Sequence, residues 1–185
     1  MDRRILISGG IVLSSSLLIA RKPILANAAA PDSPAADFSN ITTAEQFYMG
    51  VLPRAEASLV TSKVAVQSTT NLNANEFAGF ELGEAITVNM VLKDIVNKSN
   101  SNDGSLAPVI EEIKAAKGDR LNKAYITFQL QNHEYLRDLA DAYLQHSAGA
   151  TNAAEKQGRH MGSLMLAVFK EHVAICKRIS AELSA

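Results

Sequence analysis

The sequence predicts an all-α protein, an antiparallel four-helix bundle with one short extra helix between helices two and three. Hydrophobic residues make up 47% of the 185 residues but aromatic residues only 5%, with no Trp, which favours close-packed helices over a β-sandwich. Apolar residues recur at helical spacing, without sustained strict alternation. After residue 41 the chain contains two prolines, Pro53 and Pro108, and long uninterrupted helices are therefore expected.

Residues 1–28 have the pattern of a signal peptide. The basic pair Arg3-Arg4 precedes an apolar stretch, residues 5–20, and residues 26–28 form a small-x-small cleavage site, with Ala30 as the alternative end. The basic pair loosely resembles a twin-arginine signal. This stretch of 16 residues is shorter than the roughly 20 that span a bilayer, so export with cleavage is favoured over an anchor helix. We expect a periplasmic or secreted protein.

Charge and cysteine content exclude several classes of function. Removing residues 1–28 takes away four basic residues and one acidic residue, which leaves 14 basic and 18 acidic residues and a net charge of −4. Such a chain is a poor binder of nucleic acid or anionic lipid. No transmembrane span is expected in the mature chain. A single Cys cannot form an internal disulfide, a four-Cys zinc site or a haem-attachment motif.

The mature chain divides into a disordered leader, residues 29–41, and one helical domain, residues 42–185. The leader is rich in Ala, Pro, Ser and Asp. Thr42 or Thr43 begins the first helix, with Glu45 or Gln46 completing a capping box. This helix is expected to end near residue 68 and to kink or restart at Pro53.

Four further helices follow the first. The second is expected over residues 74–97 and is followed by a polar loop, residues 97–105. The short extra helix covers residues 106–116, with Pro108 in its first turn. The third long helix covers residues 119–147 and the last covers residues 153–183, separated by a break that contains Gly149.

Each of the last three long helices has an apolar stripe that predicts its buried face. His172 lies near the centre of its stripe, His133 lies at the edge of another, and Glu84 falls inside a third with Glu81 close beside it. The stripes comprise Phe77, Phe80, Val88, Val91, Leu92 and Ile95; Leu121, Tyr125, Phe128, Leu136, Leu139 and Tyr143; and Met161, Leu164, Met165, Val168, Phe169, Cys176, Ile179 and Leu183.

Ionisable groups inside an apolar stripe are costly unless they are paired. Glu84 and His172 are therefore predicted partners across the bundle, with His133 and Glu81 in the same cluster. A structural hydrogen bond or buried ion pair explains this pattern, and so does a site for a metal or small ligand. Acid–base catalysis is the weakest interpretation, because the sequence supplies no nucleophile or oxyanion-donor pattern.

The histidine spacing bears on the type of metal site. Ferritin-like di-iron centres need two Glu-x-x-His motifs, and no Glu lies three residues before any of the four histidines. A standard di-iron centre is therefore disfavoured. A mononuclear divalent-metal site could draw its ligands from Glu81, Glu84, His133 and His172. Cys176 lies in a stripe and is expected to be an inert buried thiol.

Short stretches along the chain resemble an exported bacterial family, domain of unknown function 4142. They are Ser62-Lys63-Val64-Ala65; Phe77-Ala78 with Glu84, Asn89 and Leu92; Ala124-Tyr125 with His133; and Leu166 with Glu171-His172 and Ala174. The resemblance implies a ferritin-like four-helix fold, and members are often labelled predicted outer membrane proteins. Two family histidines match His133 and His172. The family usually has Asp-His where this chain has Glu84-Ala85, so the chain lacks the third histidine that a three-histidine pocket would need.

The sequence therefore favours an exported, non-enzymatic binding or envelope-associated protein that holds a metal ion or small ligand in the bundle core. The alternative is a structural or interaction module whose buried Glu-His network fixes packing. Its partner would be an envelope protein or a second copy of the chain. A metal-dependent enzyme is the weaker third reading.

Overall fold

The structure is a computed structural model that describes residues 36–96 and 104–185. It is all-helical: five α-helices pack together, and no strand occurs within these two ranges. The predicted signal peptide, most of the predicted leader and most of the loop 97–105 lie outside the described residues. The α-helices are α1 (Ala44–Ser68), α2 (Leu72–Val96), α3 (Ala107–Ala115), α4 (Gly118–His146) and α5 (Ala153–Glu182).

The start of α1 has the predicted cap. The Gln46 N–H donates to the Thr43 hydroxyl, and the Thr43 N–H donates to Gln46 Oε1, which together form a capping box. The helix then continues through Pro53 without restarting. The short helix α3 is preceded by a 3₁₀ turn over Gly104–Leu106. Pro108 lies in the first turn of α3, as predicted.

Contacts at the helix ends establish that α1 runs parallel to α5 and antiparallel to α2. The N–H of Ala44, at the start of α1, donates to the carboxylate of Glu155, at the start of α5, at 3.0 Å. At the opposite end, the side chain of Asn71, just before α2, donates to Glu182 in the last turn of α5 at 2.9 Å.

Helix α4 runs in the same direction as α2. Asn122, near its start, donates to Thr70, just after α1, at 2.9 Å, and Tyr143, near its end, stacks on Phe47 at the start of α1. The end of α2 and the start of α4 therefore lie at opposite ends of the helices. Among the described helices, none combines the length and the apolar character that a bilayer crossing requires.

Two of the three apolar clusters in the described interior lie on either side of a polar layer. One contains Phe47, Leu136 and Phe169, and the other contains Phe77 and Cys176. The polar layer comprises Ser58, Glu81, Gln129, His133 and His172, all buried. Each long helix contributes to it, because α1 supplies Ser58, α2 supplies Glu81, α4 supplies Gln129 and His133, and α5 supplies His172.

The predicted stripe of α4 is buried throughout, but those of α2 and α5 need correction. Phe80 and Ile95 of α2 are 63% and 48% exposed, and Leu164 of α5 is 68% exposed. Helix α2 is apolar on nearly every side, so hydrophobic spacing alone does not select its buried face. Its core face includes Phe77, Glu81 and Leu92.

Candidate metal centre

Three of the four predicted site residues meet at one point inside the helices. Glu81, His133 and His172 come from α2, α4 and α5 and are 4%, 3% and 5% exposed. The fourth, Glu84, lies one turn after Glu81 on the outer side of His172, and its side chain is 45% exposed. The structure therefore places Glu81 in the interior position that the sequence assigns to Glu84.

The three converging atoms are Glu81 Oε2, His133 Nε2 and His172 Nδ1. His172 Nδ1 lies 3.1 Å from both Glu81 Oε2 and His133 Nε2, and His133 Nε2 lies 3.3 Å from Glu81 Oε2. Metal–ligand bonds of about 2.0–2.2 Å place neighbouring ligand atoms about 3.4 Å apart in a tetrahedron and about 3.0 Å apart in an octahedron. The triangle thus has the size of one face of a coordination polyhedron.

The hydrogen bond at Nδ1 of His133 determines whether its Nε2, which faces the triangle, carries a proton or a lone pair. His133 Nδ1 lies 2.8 Å from the backbone carbonyl of Gln129, which can only accept a hydrogen bond. The proton of a neutral ring is therefore on Nδ1, and Nε2 faces the triangle with its lone pair. Metal-ligating histidines are commonly oriented in this way by a backbone carbonyl.

His172 has an equivalent outer partner. Its Nε2 lies 3.4 Å from Glu84 Oε2, while its Nδ1 faces the triangle. The Phe77 ring packs edge-on against the imidazole, with 5.2 Å between ring centroids. A carboxylate on one ring nitrogen with a metal on the other is a recurrent arrangement in metal sites.

Glu81 is ionised and only partly satisfied. Its Oε1 accepts a short hydrogen bond from Ser58, but its buried Oε2 makes no hydrogen bond of regular geometry. Burial alone would raise the pKa of Glu81, but the positive charge on the facing imidazole pair, His133 and His172, and the hydrogen bond from Ser58 outweigh it. The pKa of Glu81 therefore lies well below its ordinary value.

In the absence of an ion, His172 carries the compensating charge. Burial lowers its pKa, but hydrogen bonds to Glu81 and Glu84, and then their charges, raise it more, to about 9. The single proton on His172 Nδ1 is the only one available to the two atoms that it faces, Glu81 Oε2 and His133 Nε2. Glu81 Oε2 and His133 Nε2 then still face each other as acceptors, which a cation at the centre would relieve.

A small cavity adjoins the triangle. It measures about 30 Å³ and is lined by Ser58, Asn132, Leu136 and both Glu81 and His133, among others. Asn132 Oδ1 is buried without a hydrogen-bond partner. This volume holds one or two water molecules and is too small for an organic substrate.

Sequence reasoning missed the polar shell around the triangle. Gln129 Nε2 lies 3.3 Å from Ser62 Oγ, and Ser62 Oγ lies 2.9 Å from the Tyr125 hydroxyl. Ser58 and Ser62 are four residues apart on α1, and Gln129 and His133 are four apart on α4. This i, i+4 spacing of polar residues between small or apolar ones was the available signal.

In comparisons with known proteins, no protein-family model, no curated protein and no solved structure matches the chain. Within the described residues, Glu81, His133 and His172 are the group whose ligand atoms converge closely enough to hold an ion, all lying within 4.8 Å of one another.

Proposed function

We propose that this is an exported, non-enzymatic protein that binds one divalent transition-metal ion on Glu81, His133 and His172. The observation that carries the proposal is the convergence of three buried lone-pair atoms whose outer partners already orient both imidazoles. The ion, when bound, would supply the positive charge that otherwise requires a proton on His172.

The ligand set limits which metal ions fit the site. Two imidazoles and one carboxylate suit Zn²⁺ and the neighbouring ions Fe²⁺, Co²⁺ and Ni²⁺ better than Ca²⁺ or Mg²⁺, which prefer all-oxygen sites. One position is left for water in the adjoining cavity of about 30 Å³. Because that space excludes an organic substrate, we favour metal binding over metal-dependent catalysis, which remains the weaker alternative.

We further propose a four-helix, ferritin-like fold for the domain. The helix directions support it: α1 and α5 run one way, α2 and α4 the other, and one long connection joins α2 to α4. A single long crossover is the feature that separates ferritin-like bundles from simple up-and-down bundles. The resemblance to the exported family of unknown function agrees with this arrangement. Export and signal cleavage would be tested by the N-terminal mass of the secreted protein.

The competing function is a structural or interaction module in which the same residues form a metal-free network. Its specific support is the raised pKa of His172, since an imidazolium between Glu81 and Glu84 balances part of the buried charge. Such a network fixes how α2, α4 and α5 pack. The two functions differ in whether a metal ion is retained.

The deciding experiment is elemental analysis of the full chain purified without chelators, followed by titration of the stripped protein with Zn²⁺. We expect about one ion per chain and a Zn²⁺ affinity that falls at least about 100-fold in His172→Ala. His160→Ala is the matched control, because His160 is exposed and outside the site. Absence of metal together with equal, weak Zn²⁺ affinity in both variants would overturn the proposal and leave the structural network.

A further inference from the structure

A second feature lies on the outer side of the metal centre, between α2 and α5. Here α2 and α5 leave an open groove of about 600 Å³, which we call the α2–α5 groove. Its walls include Phe80, Gly83, Leu164 and Met165. Pockets for small molecules commonly measure about 300–1,000 Å³ and have mainly apolar walls with few polar groups. The groove has this size and composition.

The groove exists because α2 and α5 do not approach closely. Helix α1 packs along α2 and α4 packs along α5, whereas α2 and α5 meet mainly through side chains. Gly79 and Gly83, one turn apart on α2, face open space: a Cβ at either position would meet nothing within 4 Å. Two missing side chains thus deepen the groove along one wall.

Large apolar side chains are exposed on both walls. Phe80 on α2 is 63% exposed and Leu164 on α5 is 68% exposed. Met161 and Met165, whose flexible side chains adapt to irregular ligands, also line the groove. Contiguous exposed apolar surface of this kind is characteristic of binding sites.

The charge of the groove indicates the kind of ligand. Glu84 is the charged residue among the lining residues, and no Lys or Arg occurs among them. Its Oε2 contacts His172, but a carboxylate can accept several hydrogen bonds. Glu84 can therefore hold His172 and a second donor together. An anionic ligand would be repelled here, and a cationic group would be attracted.

We propose that the α2–α5 groove binds an amphiphilic cation, a molecule with an apolar body and an amine or ammonium group. The body lies between Phe80 and Leu164, and the ammonium group pairs with Glu84. From Gly79 to Val88 the groove follows α2 for roughly 14 Å at about 1.5 Å per residue, with Glu84 near the middle of that span. This proposal shares Glu84 with the proposed metal site, through its contact with His172, but it requires no bound metal ion.

Three ten-carbon probes that differ only in the head group test it: decylamine, decanol and decanoate, each titrated calorimetrically into the full chain below its micelle concentration or solubility limit. We expect decylamine to bind about tenfold more tightly than decanol, the effect of one partly exposed charged pair, and decanoate to bind most weakly. Glu84→Gln should abolish the preference for the amine while leaving decanol affinity within about twofold.

Two further variants identify the location. Gly83→Leu places a side chain in the groove and should weaken decylamine and decanol alike, whereas Ile86→Ala, on the exposed face of α2 outside the groove lining, should change neither. Equal affinity for all three probes, or no binding, would overturn the proposal. A dimer that dissociates in Gly83→Leu would assign the groove to a second copy instead.

The measurements should be made both with chelator and with Zn²⁺. None of the three proposed metal ligands is a groove-lining residue, so the order of probe affinities is expected to be the same in both conditions. A protein that binds no metal but prefers decylamine would refute the metal site alone. A protein that binds Zn²⁺ but shows no head-group preference would refute the groove proposal alone.

Discussion

The surfaces along which the helices meet differ on the two sides of the molecule, and the glycines show the difference. At Gly158 on α5, an added Cβ would collide with Ala44 Cβ and lie 2.6 Å from the Tyr143 hydroxyl. At Gly83 on α2, it would meet nothing within 4 Å. The first glycine permits close packing, whereas the second leaves a groove. The proposed metal site lies in the closed interior, and Glu84 connects it to the open side.

The two carboxylates of α2 give the largest expected contrast. Glu81→Ala removes a buried, hydrogen-bonded charge and leaves Ser58 and His172 without their partner, so we expect a loss of about 3 kcal/mol or more in the free energy of unfolding. Glu84→Ala removes a half-exposed partner and should cost less than about 1 kcal/mol. Urea denaturation in the presence of chelator measures both. Equal losses would contradict the interior role of Glu81.

The difference between these carboxylates was not visible in the sequence. Glu84 fits the apolar stripe of α2 as well as Glu81 does, because α2 is apolar on almost every side. In α4, polar residues occupy the outer face, and its predicted stripe from Leu121 to Tyr143 is buried as expected. Helical periodicity predicts a buried face only where the opposite face is polar.

The glycines themselves provide the second contrast, with effects of opposite sign. Gly158→Ala forces its new methyl group against Ala44 and Tyr143 and should destabilise the fold by about 1–3 kcal/mol. Gly83→Ala adds a methyl group in open space and should stabilise it by about 0.5–1 kcal/mol, since Ala has the higher helix propensity. Urea midpoints of both variants would check this. Destabilisation by Gly83→Ala would show that the groove is filled.

Helix boundaries were predictable within about two residues, whereas helix neighbours were not. Capping at Thr43 and the break before Ala153 are local effects of polar side chains and glycine. The parallel direction of α2 and α4 depends on contacts between distant residues, such as Asn122 with Thr70, which no local spacing encodes. The convergence of Glu81, His133 and His172 depends on the same long-range packing.

The pH dependence of stability distinguishes a proton on His172 from a metal ion bound at the same position. His172 faces Glu81 and Glu84 of α2 and His133 of α4, and its pKa is raised to about 9. A raised pKa stabilises the metal-free fold below the unfolded value of about 6.5. That contribution is lost as the pH rises through 9. Metal-free protein should therefore lose stability relative to His172→Gln between about pH 6.5 and 10.

Zinc should reverse this trend. Binding at His172 Nδ1 displaces the proton, so Zn²⁺ affinity should rise about tenfold per pH unit below 9. The extra stability that a fixed Zn²⁺ concentration confers should grow over the same interval. Thermal unfolding at several pH values, with and without Zn²⁺, measures both slopes. Slopes that are identical in the two conditions would favour the metal-free network.

The prediction with the smallest expected change in stability concerns the reaction rates of thiols on the two sides of the molecule. Cys176 is fully buried, and burial raises the pKa of its thiol above the ordinary value, so the folded protein should react slowly with a disulfide reagent at pH 8. Thr87→Cys places a second thiol on an exposed position of the α2–α5 groove. We expect one fast and one slow thiol in this variant, and decylamine should slow only the fast one. Two slow thiols would mean that the groove is closed in solution.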